Sequence, residues 1–288
     1  MNYHITNLHL KNQPSLAKPI RVCPESLLRD RFSNRAFTLV EMILVVTIIG
    51  LLAALALPHL AGFGKSNSMT AATRQLLDDV SLARLKALAN RTTVYVVFIP
   101  PGFWTGPNTA AYNSLDSEGR TQVTNLSSGQ YTSYALVSLR SVGDQPGRPY
   151  PRYLSQWKHL PEGVFIAPNK FFIATQFVDT NAIPQKTFNI NPFASNNIPF
   201  PSIDKAAPTP FLLPTISFNS SGQLTSQADE LIALTRGSIF YARKPDTTLD
   251  LANADAAETP PGNSTNNYNI IHIDWLTGRA KIERQEIR

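Results

Sequence analysis

Residues Phe37–Leu57 read FTLVEMILVVTIIGLLAALAL, 21 residues in which Glu41 is the single charge. As a helix rising ~1.5 Å per residue, the run covers roughly the ~30 Å hydrocarbon core of a bilayer. A buried helix of a soluble core is rarely so long without a polar break, so the run reads as a membrane span. Lys11, Lys18, Arg21, Arg29, Arg31 and Arg35 precede it against Glu25 and Asp30, and Lys65 follows well past its other end. That asymmetry places the N-terminus on the cytoplasmic side and the bulk of the chain beyond the membrane.

The same count decides what the net charge means. The chain has 288 residues and a formal charge of +6, of which +4 lies in residues 1–36. The other 252 residues carry 20 basic and 18 acidic groups, so the basicity orients insertion and gives little reason to expect a polyanion partner. The one cysteine, Cys23, also lies upstream of the span. Without that segment the chain has no thiol, hence neither a disulfide nor a Cys-based metal site.

Glu41 is the anomaly in the run. An ionised carboxylate deep in a membrane helix costs up to ~2.5–3.5 kcal/mol, so it calls for a partner or for a place at the interface near the positive end of the helix dipole. Its surroundings are more specific. The stretch Ala36-Phe37-Thr38-Leu39-Val40-Glu41, followed by the apolar run and Pro58, resembles the type IV prepilin and pseudopilin family. The resemblance implies cleavage between Ala36 and Phe37 by a membrane prepilin peptidase, with N-methylation of Phe37. It implies that Glu41, fifth in the mature chain, meets the N-terminal ammonium of a neighbouring subunit, and that Gly50 and Pro58 occupy helix-weakening positions. Ala36 stands where the family more often has Gly, a small-for-small exchange, and the 36-residue leader is long, which also allows a start codon farther downstream. Ordinary secretory cleavage after Ala54-Leu55-Ala56 is a rival reading, but the apolar run is too long for a signal-peptide core and Pro58 directly follows.

Beyond the span, HLAGFGKSNS (59–68) holds two glycines and is expected to loosen the helix. The pattern then resumes, with Leu76, Val80, Ala83 and Ala87 at i, i+4, i+7 and i+11, widened by Leu77 and Leu88. Asp78, Asp79, Arg84 and Lys86 fall on the other faces, which predicts an amphipathic helix on a sheet, ending near Asn90, with the Asp pair in solvent. Strands are predicted at Thr92–Ile99, Tyr131–Arg140, Gly163–Ile166, Thr215–Asn219, Gly237–Arg243 and Asn269–Asp274, the last paired with Ala280–Glu283. Twelve of the 22 prolines fall between Pro146 and Pro214, which predicts irregular decoration there.

The expected architecture is α+β and pilin-like: a leader (1–36), a transmembrane assembly helix (37–58), an amphipathic helix continuing into the head (59–91) and a mostly β extracytoplasmic head on an antiparallel sheet (92–288). Leu82-Ala83-Arg84, Trp157 with Leu160-Pro161-Glu162-Gly163-Val164, Ile216-Ser217-Phe218-Asn219-Ser220-Ser221-Gly222 and the Gly278-Arg279 hairpin together look like the minor pseudopilin H/FimT group. In its long head the chain also resembles prepilin-like proteins of verrucomicrobial gene cassettes. The resemblance implies a structural subunit, not an enzyme, in the inner membrane, assembling with other pilins into a type II secretion pseudopilus or a type IV pilus.

Residues with catalytic or ligand chemistry add little. Ser155-Gln156-Trp157-Lys158 matches Ser-x-x-Lys without its companion motifs, and Trp157 reads better as a core or loop anchor. His59, His159 and His272 lack metal-ligand spacing, and the acidic residues do not fit a calcium loop. No cofactor is implied. Gly278-Arg279-Ala280-Lys281 resembles a C-terminal hairpin that contacts DNA in competence-linked relatives, making Arg279 and Lys281 candidates for that role. A solvent-facing turn is the preferred reading, because phosphate binding needs a concentrated basic face.

Overall fold

The computed structural model describes residues 38–140, 143–144, 150–179, 184–200, 202, 208–246, 248–266 and 269–284; within them, the side chains of 55–66, 177 and 179 are left aside. The expected leader 1–36 and both residues of the expected cut, Ala36 and Phe37, lie outside this set. The chain divides into two compact units, Met1–Ala53 and Ala54–Arg288.

Helix α1 spans Leu39–Asn90 without a break, through Gly50, Pro58 and both glycines of 59–68. The expected loosening there does not end the helix. A glycine costs about 1 kcal/mol in a helix interior, and the apolar stripe beginning at Met69 is buried deeply enough to outweigh it. In the second unit Met69, Ala72, Leu76, Val80, Ala83 and Ala87 are almost wholly buried. Leu77 is partly buried, whereas Leu88 lies at the exposed rim.

The head is not the one sheet the sequence predicts. Its strands are β1 (Val94–Phe98), β2 (Ser133–Ser138), β3 (Arg152–Tyr153), β4 (Lys158–His159), β5 (Val164–Ile166), β6 (Thr175–Asp179), β7 (Lys186–Ile190), β8 (Ala194–Phe200), β9 (Thr209–Phe218), β10 (Glu230–Phe240), β11 (Asp255–Glu258), β12 (Asn269–Ile273) and β13 (Ala280–Arg284). The first sheet runs β3-β2-β1-β9-β8, with β4 also on β2; the second runs β11-β10-β12-β13, with β5 on β10; β6 and β7 form a separate hairpin. All pairings are antiparallel. Short helices α2 (Thr109–Asn113), α3 (Ser117–Leu126), α4 (Asn169–Phe172) and α5 (Asn263–Asn266) fill the connections.

One core joins α1 to both sheets. Val94, Val96 and Phe98 of β1, Ile216 and Phe218 of β9, Ile232 and Leu234 of β10, and Ile271 and Ile273 of β12 surround the helix stripe. The other face of β1 is buried as well, with Val97 beside Val123 and Leu126 of α3 and Ile198, Phe200, Phe211 and Leu213 of the β8–β9 ladder. Burial on both faces explains why Val94–Ile99 is an apolar run and not an alternation.

The proline-rich stretch is ordered strand over much of its length, against expectation. Pro199 lies on the edge strand β8, where a missing donor can face outward. Pro210 and Pro214 precede Thr215, where the pairing of β9 with β1 ends, so there β9 has β8 alone as its neighbour. A proline periodicity counts missing donors; it does not say on which side of a strand they fall.

Asp79 is a second correction. Only Asp78 is exposed; Asp79 is buried. Its Oδ2 accepts from the Tyr134 hydroxyl at 2.7 Å and its Oδ1 from Lys158 Nζ at 2.5 Å. Gln75 Nε2 donates to the Tyr134 oxygen at 3.0 Å and to the His159 carbonyl at 2.9 Å. These bonds register α1 against β2 and β4. Burial, with Asp79 beside it, pushes the Tyr134 hydroxyl far above its ordinary value. A deeper ion pair, Lys170 with Glu230, ties α4 to β10; Lys170 Nζ also donates to the Asn191 carbonyl at 2.6 Å and lies 4.6 Å from the Phe193 ring centroid.

Asp79→Ala should lower unfolding stability by about 2–3 kcal/mol, because a charge-bonded hydroxyl and ammonium lose their acceptor, whereas Asp78→Ala should change it by less than about 0.5 kcal/mol. Urea titration of the full chain in detergent, followed by circular dichroism, measures both.

Candidate functional site

The N-terminal turn of α1 is closed by a reciprocal pair. Thr38 Oγ1 accepts from the Glu41 N–H at 3.2 Å, and Glu41 Oε2 accepts from the Thr38 N–H at 2.9 Å and from the Thr38 hydroxyl at 3.0 Å. This is a capping box, in which two backbone donors without helical partners are satisfied by side chains three residues apart. Thr38 was not singled out from the sequence, yet Thr-x-x-Glu ahead of an apolar run is a readable signal of it. The carboxylate is therefore held one residue from the site at which cleavage is expected, directed back along the chain.

After this polar turn the helix is apolar on every side. Leu39, Val40, Met42, Ile43, Leu44, Val45, Val46, Ile48, Ile49, Leu51 and Leu52 are all exposed. Fully burying one such side chain is worth ~1.5–3 kcal/mol, and a helix apolar all round requires lipid or other helices about it. A Cβ on Gly50 would meet nothing within 4 Å. Pro58 falls within the helix, with its side chain outside the described set. Among the described residues no helix is long and apolar enough to cross a membrane. The run Phe37–Leu57 begins and ends beyond the side chains described.

The C-terminal candidates sit on the β12–β13 hairpin. Its turn is closed by the Asp274 N–H donating to the Arg279 carbonyl at 3.0 Å and the Gly278 N–H donating to the Asp274 carbonyl at 2.8 Å. Asp274 Oδ1 accepts from the Thr277 N–H and hydroxyl, both at 2.7 Å, and these bonds hold its carboxyl below the ordinary value. Gly278 has φ +64°, and a Cβ there would lie 1.9 Å from the Gly222 carbonyl oxygen. Arg84 Nε donates to the Thr277 carbonyl at 2.7 Å, so the helix, the turn after β9 and this hairpin meet at one point. Arg279 and Lys281 are exposed, but Lys281 Nζ is 2.8 Å from Glu283 Oε1, which offsets its charge.

The His59 side chain lies outside the described set; the other candidates have structural partners. Ser155 Oγ accepts from the Leu136 N–H at 2.9 Å, and Lys158 pairs with Asp79, so the Ser-x-x-Lys match assembles no nucleophile and base. Trp157 is partly buried against the second core, its Nε1–H donating to Ser202 Oγ at 3.2 Å. His159 Nδ1 is 2.7 Å from Ser133 Oγ, and His272 is bracketed by Asp229 and Glu283. Among the described residues no group of three His, Cys, Asp or Glu side chains could hold a metal ion.

The family model described as prokaryotic N-terminal methylation motif matches residues 31–57, from ahead of the expected cut through the apolar run. Over this segment the chain is type IV prepilin-like. No curated protein and no solved structure matches the chain, so the likeness rests on that segment alone. The matched residues include the capping box and the whole exposed apolar face.

Gly278→Ala should destabilise the head by about 2–4 kcal/mol, adding a clash with Gly222 to the backbone strain. Gly163→Ala, also at positive φ but with nothing within 4 Å of its Cβ, should cost about 1 kcal/mol. Chemical unfolding of the two variants separates contact from conformation.

Proposed function

We propose that this chain is a structural minor pilin or pseudopilin subunit of the H/FimT kind, assembling into a type II secretion pseudopilus or a type IV pilus. In this reading prepilin peptidase cuts between Ala36 and Phe37 and the new Phe37 amine is methylated. The subunit waits in the inner membrane with its head on the far side, and its helix then packs beside those of other pilins. The observation that carries the reading is the N-terminal turn of α1, where Glu41, the one charge in an apolar segment, is turned toward the site of the new amine. A charge that is costly in lipid becomes favourable when joined to an opposite one, so Glu41 meeting a neighbour's ammonium gives docking both a direction and a driving force. Gly50 and Pro58 are the positions at which the helix can yield during packing.

The head serves as the surface presented by that filament. Contact with DNA through Arg279 and Lys281 gains no support from a hairpin in which Glu283 offsets Lys281.

Mass spectrometry of the membrane-purified protein should find a chain beginning at N-methylated Phe37. An intact leader in cells with active prepilin peptidase, or a cut after Ala56, refutes the reading. Glu41→Gln should leave cleavage intact while reducing filament-associated protein on the order of tenfold, the ratio set by about 1.4 kcal/mol of lost pairing, as read by immunoblot of sheared filaments.

A further inference from the structure

The outer face of the second sheet, opposite α1, carries a polar cleft of about 720 Å³ between β7 and the ends of β10, β12 and β13. His272 lies on its floor. Its Nε2 is 2.9 Å from Asp229 Oδ2, in the loop ahead of β10, and its Nδ1 is 3.6 Å from Glu283 Oε1, on β13. A neutral imidazole has one N–H and can serve only one of these carboxylates, leaving the other facing a lone pair; the imidazolium serves both. Asp274, one residue past β12, also lies near the ring, with Arg279 across the turn from it; Lys281 stands opposite His272 on β13, and Lys186 of β7 is 3.8 Å from Glu283 Oε2. Burial works to raise the Glu283 carboxyl, but Lys281, His272 and Lys186 outweigh it and hold the group below the ordinary carboxylate range. Glu283 therefore stays ionised where an imidazole ordinarily titrates.

Asp229 gives the ring its leverage. Its second oxygen, Oδ1, accepts from the Trp275 N–H at 2.9 Å, and the Trp275 carbonyl accepts from the Leu224 N–H at 2.9 Å. The loop ahead of β10, the β12–β13 turn and the segment after β9 are thus linked in series through one carboxylate. We propose that His272 is a proton-operated clasp: protonated, it draws Asp229 and Glu283 together and locks the β12–β13 turn onto the rest of the head; neutral, it releases one side. The clasp belongs to the folded head and does not depend on processing at Phe37.

Hydrogen exchange of the Trp275 and Leu224 amides, referenced to the core amide of Ile232, tests this in the full chain in detergent at about pH 8 and about pH 5.5. Protection relative to Ile232 should rise about threefold or more on acidification, and His272→Gln should abolish the rise without changing the circular dichroism spectrum. Glu283→Gln, which keeps the Asp229 contact and removes the second carboxylate, should reduce the rise, and it decides the matter should His272→Gln fail to fold. An equal response to pH in wild type and variant overturns the proposal, because a purely structural His272 would shift protection by the same factor at both pH values.

Discussion

The head depends on one stripe of α1 being shared by two sheets. Leu76, Val80, Ala83 and Ala87 are wholly buried, and the strands around them come from both sheets. A helix that packs on one sheet can slide along it at modest cost. One that supplies the common core of two is fixed by both, since any shift opens a cavity against the other, and interiors tolerate few voids. Small side chains at 83 and 87 allow the strands to approach closely, while Leu76 and Val80 fill the wider part of the stripe.

Polar contacts then set the register that apolar packing leaves open. Asp79 points off the stripe toward Tyr134 and Lys158, and Arg84 reaches the Thr277 carbonyl on the opposite flank. Between them they hold the helix rotationally against β2 and β4 on one side and the β12–β13 turn on the other. The close approach of Gly278 to the Gly222 carbonyl works only because neither residue has a side chain and both adopt positive φ. Three short motifs that look unrelated in the chain, around Arg84, Gly222 and Gly278, are one junction.

The N-terminal turn of α1 obeys a different constraint. Its apolar side chains are exposed among the described residues, so the helix is shaped for surroundings other than water. Within it, Thr38 satisfies the Glu41 carboxylate locally and so lowers the cost of carrying a charge there.

The class of the protein and the course of its helix were legible in the sequence because both rest on local information. A 21-residue apolar run with one charge, and a stripe repeating every three to four residues, need no knowledge of what they touch. Strands β1, β2, β5, β12 and β13 and the ends of β9 and β10 were legible for the same reason, as was the pairing of β12 with β13 across its turn, whereas β3, β4, β6, β7, β8 and β11 were not. What the tertiary structure decided were matters of which side and which partner. Asp78 and Asp79 are identical neighbours, and only packing against Tyr134 makes one of them internal. The prolines from 146 to 214 look like loop, and only the one-sided pairing of β8 and of the start of β9 lets Pro199, Pro210 and Pro214 stand in strands. Local sequence carries period and length; the sign of a residue's environment comes from segments tens of residues away.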